Sequence, residues 1–170
     1  KQKHCPKSYM IRGLIDNCFN IRDQAMIMFL ATTGLRFNEM INITLDQFNN
    51  MTGESGREIE IVGKGSKRRT VFINDDTKRL VDKYLLIRGE QEGPLFITNR
   101  NDKVKNNNFN LMLKQVAKKA EIPFWQDVPA HWLRVAFATT KANSGIPLHI
   151  IQYSLGHSNI KTTMGYIKND

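Results

Sequence analysis

Cysteine is almost missing from this sequence. Cys5 and Cys18 stand apart, in no C-x-x-C pair, so neither a zinc site nor a disulfide framework is implied and reduced thiols are the expectation. Long apolar runs are missing too. The longest, AMIMFLA from Ala25 to Ala31, is far too short to span a bilayer, so no membrane association is expected. The opening residues, KQKHCPKSYM, contain no apolar stretch of the kind a secretory signal needs. They begin on Lys rather than Met, as a fragment of something longer would. There is no tight Asp/Glu cluster to hold a pair of catalytic metal ions, and no GxxxxGK[ST] loop to cradle a nucleotide phosphate. Acidic residues are scarce overall: 16 Asp and Glu against 25 Lys and Arg leave a net charge of +9. That surplus suits a polyanionic partner, most simply nucleic acid, although a generically basic protein has the same balance.

What is present fits one globular domain. The 170 residues are enough to bury a core, and 41% hydrophobic with 24% charged residues is ordinary for a soluble fold. Apart from the asparagines at 106–108 there is no low-complexity tract, and no internal repeat. The periodicity predicts a helix over Pro6 to Phe19, then a largely buried helix from Ile21 closed by Gly34. Helix is expected to continue through RFNEMINIT to Thr44, with a short turn opening at Leu45-Asp46. Two β-rich stretches, Glu58 to Val62 and Thr70 to Ile73, flank a glycine-rich basic turn and read as a hairpin. DDTKRLVDKYLLIRG is an amphipathic helix with an acidic start and a glycine stop. PLFI reads as a short strand. Helices are expected at Asn107 to Ala120, Ala130 to Asn143, Leu148 to Leu155 and Ile160 to Tyr166. The fold class is mainly α with a small antiparallel β-sheet (α+β).

Four short stretches carry candidate chemistry. In HWLR, His131 and Arg134 are spaced i, i+3 and share a helix face, which suits an anion but is also what a solvated helix face looks like. In GLRFNEM, Arg36 follows a glycine turn, and Glu39 three residues later is either a surface ion pair or an acceptor that orients the arginine. The hairpin tip GKGSKRR holds Lys64 and Lys67, which either protect an edge strand or face a substrate. Near the end, LGHSNIKTTMGY places His157 nine residues before Tyr166. Taken singly, each has an ordinary structural explanation.

Their order and spacing do not. GLRxxE, a lysine in a β-hairpin turn, HxLR and LGHxxxxTTxxY, with FATT and LGHS between and around them, resemble the tyrosine recombinase (phage integrase) family over about Ile21 to Tyr166. The resemblance implies that family's catalytic-domain fold, with 1–170 a single catalytic domain. A DNA-binding domain on the N-terminal side and a C-terminal tail that contacts a neighbouring protomer would lie outside this sequence. It implies that Tyr166 is the nucleophile, that Arg36 and Arg134 are the two catalytic arginines, and that His131 is the histidine of the HxLR box. His157 stands where relatives have His or Trp, Lys64 matches the hairpin lysine with Lys67 as the alternative, and Glu39 is the acidic support. One departure is visible: Val135 stands where many relatives have His after the box arginine.

The implied reaction is attack by a tyrosine hydroxyl on a phosphodiester of double-stranded DNA, giving a 3′-phosphotyrosyl link and a free 5′-hydroxyl, then strand exchange and religation. Its demands can be stated independently. A phenol of pKa about 10 needs a base or a cationic surrounding at neutral pH. Charge gathered on the non-bridging oxygens needs fixed donors, and the leaving 5′-oxygen needs a proton. With cationic side chains in those roles, no metal, cofactor or ATP is expected. The resemblance also implies a tetramer on DNA and a cytoplasmic, nucleoid-associated location. The rival readings are a type IB topoisomerase, which reseals the same strand, and a DNA-binding module without catalysis.

Overall fold

The computed structural model describes residues 4–167. Nine α-helices and one two-stranded sheet are formed among them. The centre is α2 (Ile21–Thr33), which packs against α1 (Ser8–Asp16), α5 (Asp75–Arg88) and α7 (Ala130–Asn143). Helix α2 is buried nearly all round, with Ala25, Met26, Ile27, Phe29 and Leu30 inaccessible, as its unbroken apolar run requires. Asn20 caps its start by accepting from the Asp23 backbone N–H, and Gly34 ends it in the left-handed conformation (φ 68°). A side chain at Gly34 would collide with Phe137 and Leu155, so the turn is closely packed as well as tight.

Strands β1 (Glu58–Val62) and β2 (Arg68–Phe72) pair antiparallel with Glu60 opposite Thr70. Between them Lys64–Ser66 form one 3-10 turn, with Gly65 at φ 71°. The expected hairpin is present, and β2 begins two residues earlier than the β-rich stretch suggested. Ile59 and Ile61 face inward from β1, and Arg69 and Val71 from β2.

Three expectations fail locally. Helix α3 (Phe37–Ile41) stops at Asn42 rather than running to Thr44, and Leu45-Asp46 begins a helix of its own, α4 (Leu45–Asn49). The reason is the Thr44 cap. Its hydroxyl accepts from the Gln47 N–H while the Gln47 side chain accepts from the Thr44 N–H, which starts a new helix instead of extending the old one. PLFI is not a strand. Leu95 donates to the Ile43 carbonyl, but only isolated bridges form at Pro94 and Ile97, and the segment serves as buried packing. The first helix is also shorter than expected, whereas α6 (Asn106–Lys119), α7, α8 (Leu148–Leu155) and α9 (Ile160–Ile167) lie within a residue of the expected limits.

Candidate active site

Four elements converge where the sequence motifs lie: the turn after α2, the hairpin tip, the first turn of α7, and the α8–α9 corner. Arg36 caps the start of α3. Glu39, one turn later, accepts from the Arg36 backbone N–H at 2.8 Å and from its Nη1 at 3.2 Å. This is no surface pair: Glu39 is buried while the Arg36 side chain is 42% exposed. The carboxylate therefore holds the base of Arg36 and leaves the guanidinium facing the cleft.

Arg134 is buried, 1% exposed, which excludes a solvated helix face for that residue; His131, one turn earlier, is exposed. The Arg134 guanidinium donates to the backbone carbonyls of Gly34 and Leu155, and its Nε has no hydrogen-bond partner among the described residues. Burial, then the neighbouring Arg36 charge, push its pKa down, and the Tyr166 hydroxyl partly offsets this. A guanidinium has five N–H donors, so those not bound to the two carbonyls remain for an incoming anion.

Tyr166, on α9, is half-buried between two imidazoles. Its ring centroid lies 5.2 Å from that of His131 and 5.1 Å from that of His157, each edge to face. His157 itself is buried, with Nδ1 2.8 Å from the Thr163 hydroxyl and Nε2 without a hydrogen-bond partner among the described residues. Burial and the adjacent Arg134 and Arg36 push its pKa down to about 4, so it is neutral at pH 7.

Lys64 and Lys67 are both exposed at the hairpin tip. A cleft of about 540 Å³ has Arg36, Lys64, His131 and Arg134 in its wall, together with Asn106 and Asn110. A second hollow of about 210 Å³, on the other side of Arg36 and Lys64, holds Lys67, Tyr153 and His157. Lys64 therefore borders both spaces and Lys67 only the second. All six candidate catalytic residues, with Glu39 and Lys67, meet in one region. Among the described residues, no group of three or more His, Cys, Asp or Glu side chains is placed to hold a metal ion.

The residue that sequence reasoning passed over is Arg69. It is 6% exposed and forms a two-pronged ion pair with Glu39, Nη1 to Oε1 at 3.0 Å and Nη2 to Oε2 at 2.7 Å, while its Nε donates to the Ser154 carbonyl at 3.1 Å. It links hairpin, α3 and α8 in one buried contact. Gly156 (φ 67°) lies so close that a Cβ there would come within 3.0 Å of the guanidinium. The available signal was strand alternation: Arg69 shares the inward face of β2 with Val71, where a lone charge needs a buried partner.

Residues 8–170 match the Phage integrase family. The chain belongs to the phage integrase family. It is 32% identical over 158 residues to a tyrosine recombinase XerD of Pseudomonas aeruginosa, a match covering 89% of this chain and 51% of that protein. It is 31% identical over 172 residues to a tyrosine recombinase XerA of Pyrococcus horikoshii, covering 98% of this chain and 58% of that protein. This integrase-family chain thus spans little more than half the length of the curated relatives it matches. A crystal structure of XerA recombinase superposes with a TM-score of 0.81 and 26% identity over 98% of this chain and 60% of the other. The catalytic domain of bacteriophage HP1 integrase shares the fold, with a TM-score of 0.67 and 24% identity over 95% of this chain and 85% of that one. The fold is the mainly helical one, with its small antiparallel sheet, of integrase-family catalytic domains.

Proposed function

We propose that this chain is the catalytic domain of a site-specific DNA recombinase, part of a longer protein, and that Tyr166 is its nucleophile. The Tyr166 oxygen bonds to phosphorus as the P–O5′ bond breaks, leaving a 3′-phosphotyrosyl link. The phenolic proton passes to a neighbouring acceptor or to water, and the leaving 5′-oxygen takes a proton from the Lys64 ammonium. Arg36 and Arg134 hold the non-bridging oxygens, where a preorganised donor is worth most. His131 and His157 add donors beside the phenol. Positive charge around Tyr166 favours its phenolate, which answers the need for activation without a strong base. A 5′-hydroxyl from another strand reverses the step, so the energy of the cut bond is conserved and ATP is not needed.

The observation that carries this reading is Tyr166 held between His131 and His157 beside the buried, donor-rich Arg134. Double-stranded DNA is the substrate class, supported by the net charge of +9 and by solved recombinases described as bound to their DNA substrates, which share the fold. The working assembly on DNA is a homotetramer, and the location is the cytoplasm, at the nucleoid. Among the described residues no helix is long and apolar enough to cross a membrane.

A nicked suicide substrate carrying the recognition site tests the proposal, because loss of the short 5′ fragment traps the covalent complex. A 3′-linked adduct on Tyr166, resolved by joining to a foreign 5′-hydroxyl strand, is the expected result. Resealing of the original strand alone would favour the topoisomerase reading, and absence of any adduct would favour the binding module.

A further inference from the structure

Helix α7 starts without a cap of its own. The residue before it is Pro129, whose ring has no oxygen to accept from the first turn. The N–H of Ala130 is one of the donors that a helix start leaves without an intrahelical acceptor. It donates instead to Oδ1 of Asn110 on α6, at 2.7 Å and 20 residues away in sequence. Asn110 Nδ2 in turn donates to Oδ1 of Asn106, one turn back along α6, at 3.2 Å. The backbone decides the orientation of the Asn110 amide. Reversed, it would set its NH2 against the Ala130 N–H, donor against donor.

Asn106, Asn110 and Ala130 all stand in the wall of the cleft that holds Arg36, His131 and Arg134. The bond therefore fixes the start of α7 where that helix meets the cleft. His131 follows Ala130 directly, and Arg134 lies one turn on. Arg134 has the carbonyls of Gly34 and Leu155 to hold it as well. His131 is exposed and depends more on where its turn is placed. An aspartate would cap as well, since the positive end of a helix favours an anion. Asparagine supplies the same acceptor without a negative charge in a cleft that holds Arg36, Lys64 and Arg134. We propose that Asn110 is a positioning residue: it caps α7 from α6 and sets where His131 stands in the cleft. This rests on the recombinase reading for the reaction His131 serves, but not for the cap or for the placing of the ring.

Amide exchange of Ala130 reads the cap, and single-turnover cleavage at saturating suicide substrate reads its use. In Asn110→Ala the Ala130 amide should exchange faster. Cleavage at saturation should fall by about 10- to 100-fold, the scale on which a misplaced turn acts, with DNA affinity near wild type. Asn110→Asp should show the opposite split. Its carboxylate keeps the cap, so Ala130 stays protected and saturated cleavage stays near wild type, while the added charge weakens DNA binding. A cap that served folding alone would lower the melting temperature and leave saturated cleavage of the folded variant unchanged, which overturns the proposal. So does an Ala130 amide that exchanges no faster in Asn110→Ala than in the wild type. Should Asn110→Ala fail to fold, Asn110→Asp decides, because slow saturated cleavage with Ala130 still protected also overturns it. A wild-type protein that forms no adduct would defeat the recombinase reading. The His131 ring then tests the placement by itself. Its Cε1–H resonance, assigned by its loss in His131→Gln, should move in Asn110→Ala, and an unmoved resonance overturns the proposal.

Discussion

The ground beneath Arg36 and the ground beneath Tyr166 are built on different scales. Arg36 follows α2 and borders the main core, where Phe29, Leu30, Phe96, Phe109 and their neighbours from α1 to α7 form one continuous cluster. Tyr166 packs instead on a satellite of four buried side chains, Phe137, Ala138, Ile151 and Leu155. Polar ties fasten the satellite to the rest: Arg134 to the Leu155 carbonyl and Arg69 to the Ser154 carbonyl. One half of the site is therefore set in a rigid scaffold, and the half carrying the proposed nucleophile has few apolar contacts and opens at lower cost. Under the proposed function Tyr166 has to enter and leave the site, which suits the second kind of ground.

The sharpest separation of the two regions is Tyr166→Phe. It removes one oxygen and no packing, so covalent adduct should vanish while DNA affinity and thermal stability stay near wild type. Adduct persisting in this variant would move the nucleophile elsewhere, first to Tyr153, which is 65% exposed in the neighbouring hollow.

The ties come next. Arg69→Met leaves the Glu39 carboxylate buried and unpaired on that side, a change that typically costs about 3–5 kcal/mol. Combining it with Glu39→Leu should recover much of the stability. Cleavage should not recover, because Arg36 then lacks the carboxylate that holds it. A stable double variant that cuts at the wild-type rate would mean that the pair serves folding alone.

Within the hairpin, Lys64→Ala should slow cleavage of ordinary DNA by about 10²–10³. A substrate with sulfur at the 5′-bridging position leaves as a thiolate that needs no proton, so it should rescue Lys64→Ala and not Arg134→Ala. Rescue of Lys67→Ala instead would assign the proton to the second lysine.

The two clusters can also be probed through matched truncations. Leu30→Ala, in the main core, should lower the stability of the whole chain by roughly 2–5 kcal/mol. Leu155→Ala, in the satellite, should move the global midpoint less and accelerate amide exchange chiefly from Leu148 to Ile167. Equal changes in both regions for both variants would show one cooperative unit and dissolve the distinction.

The same contrast explains what was legible in the sequence. Helices α7, α8 and β1 follow from periodicity and turn chemistry, which are local, and their limits match the expected ones. The site motifs are local too, and the fold brings Arg36, Lys64, His131, Arg134, His157 and Tyr166 into one region. The burial of Arg134 and of Glu39 was not legible, because i, i+3 spacing fixes a shared face and not which face is covered. Arg69 was hidden for a related reason. Its partners are 30 and 85 residues away in sequence, so only tertiary packing shows that a basic hairpin residue is a buried cross-link.

The smallest expected effect is a pH dependence that should loosen the satellite before the core. His157 is held down to about 4 by burial and the neighbouring arginines, against an ordinary value of 6.5. Between those values the unfolded chain binds more protons than the folded one, so the contribution is complete above pH 6.5 and is lost progressively as pH falls toward 4. Glu39 follows a separate course. Burial pushes its carboxyl up, but hydrogen bonds from Arg69 and the Arg36 backbone N–H, with both arginine charges, more than offset this and hold it below its usual 4.5. Its contribution is present above about pH 4.5 and fades as pH falls through the lower folded value. Each full proton of difference is worth on the order of 1 kcal/mol per pH unit. From pH 6.5 to 4.5, then, exchange at residues 148–167 should quicken while α2 stays protected, and His157→Gln should abolish that slope. Loss of protection in α2 and α9 together over that interval would place the acid sensitivity in the whole fold rather than in the ground beneath Tyr166.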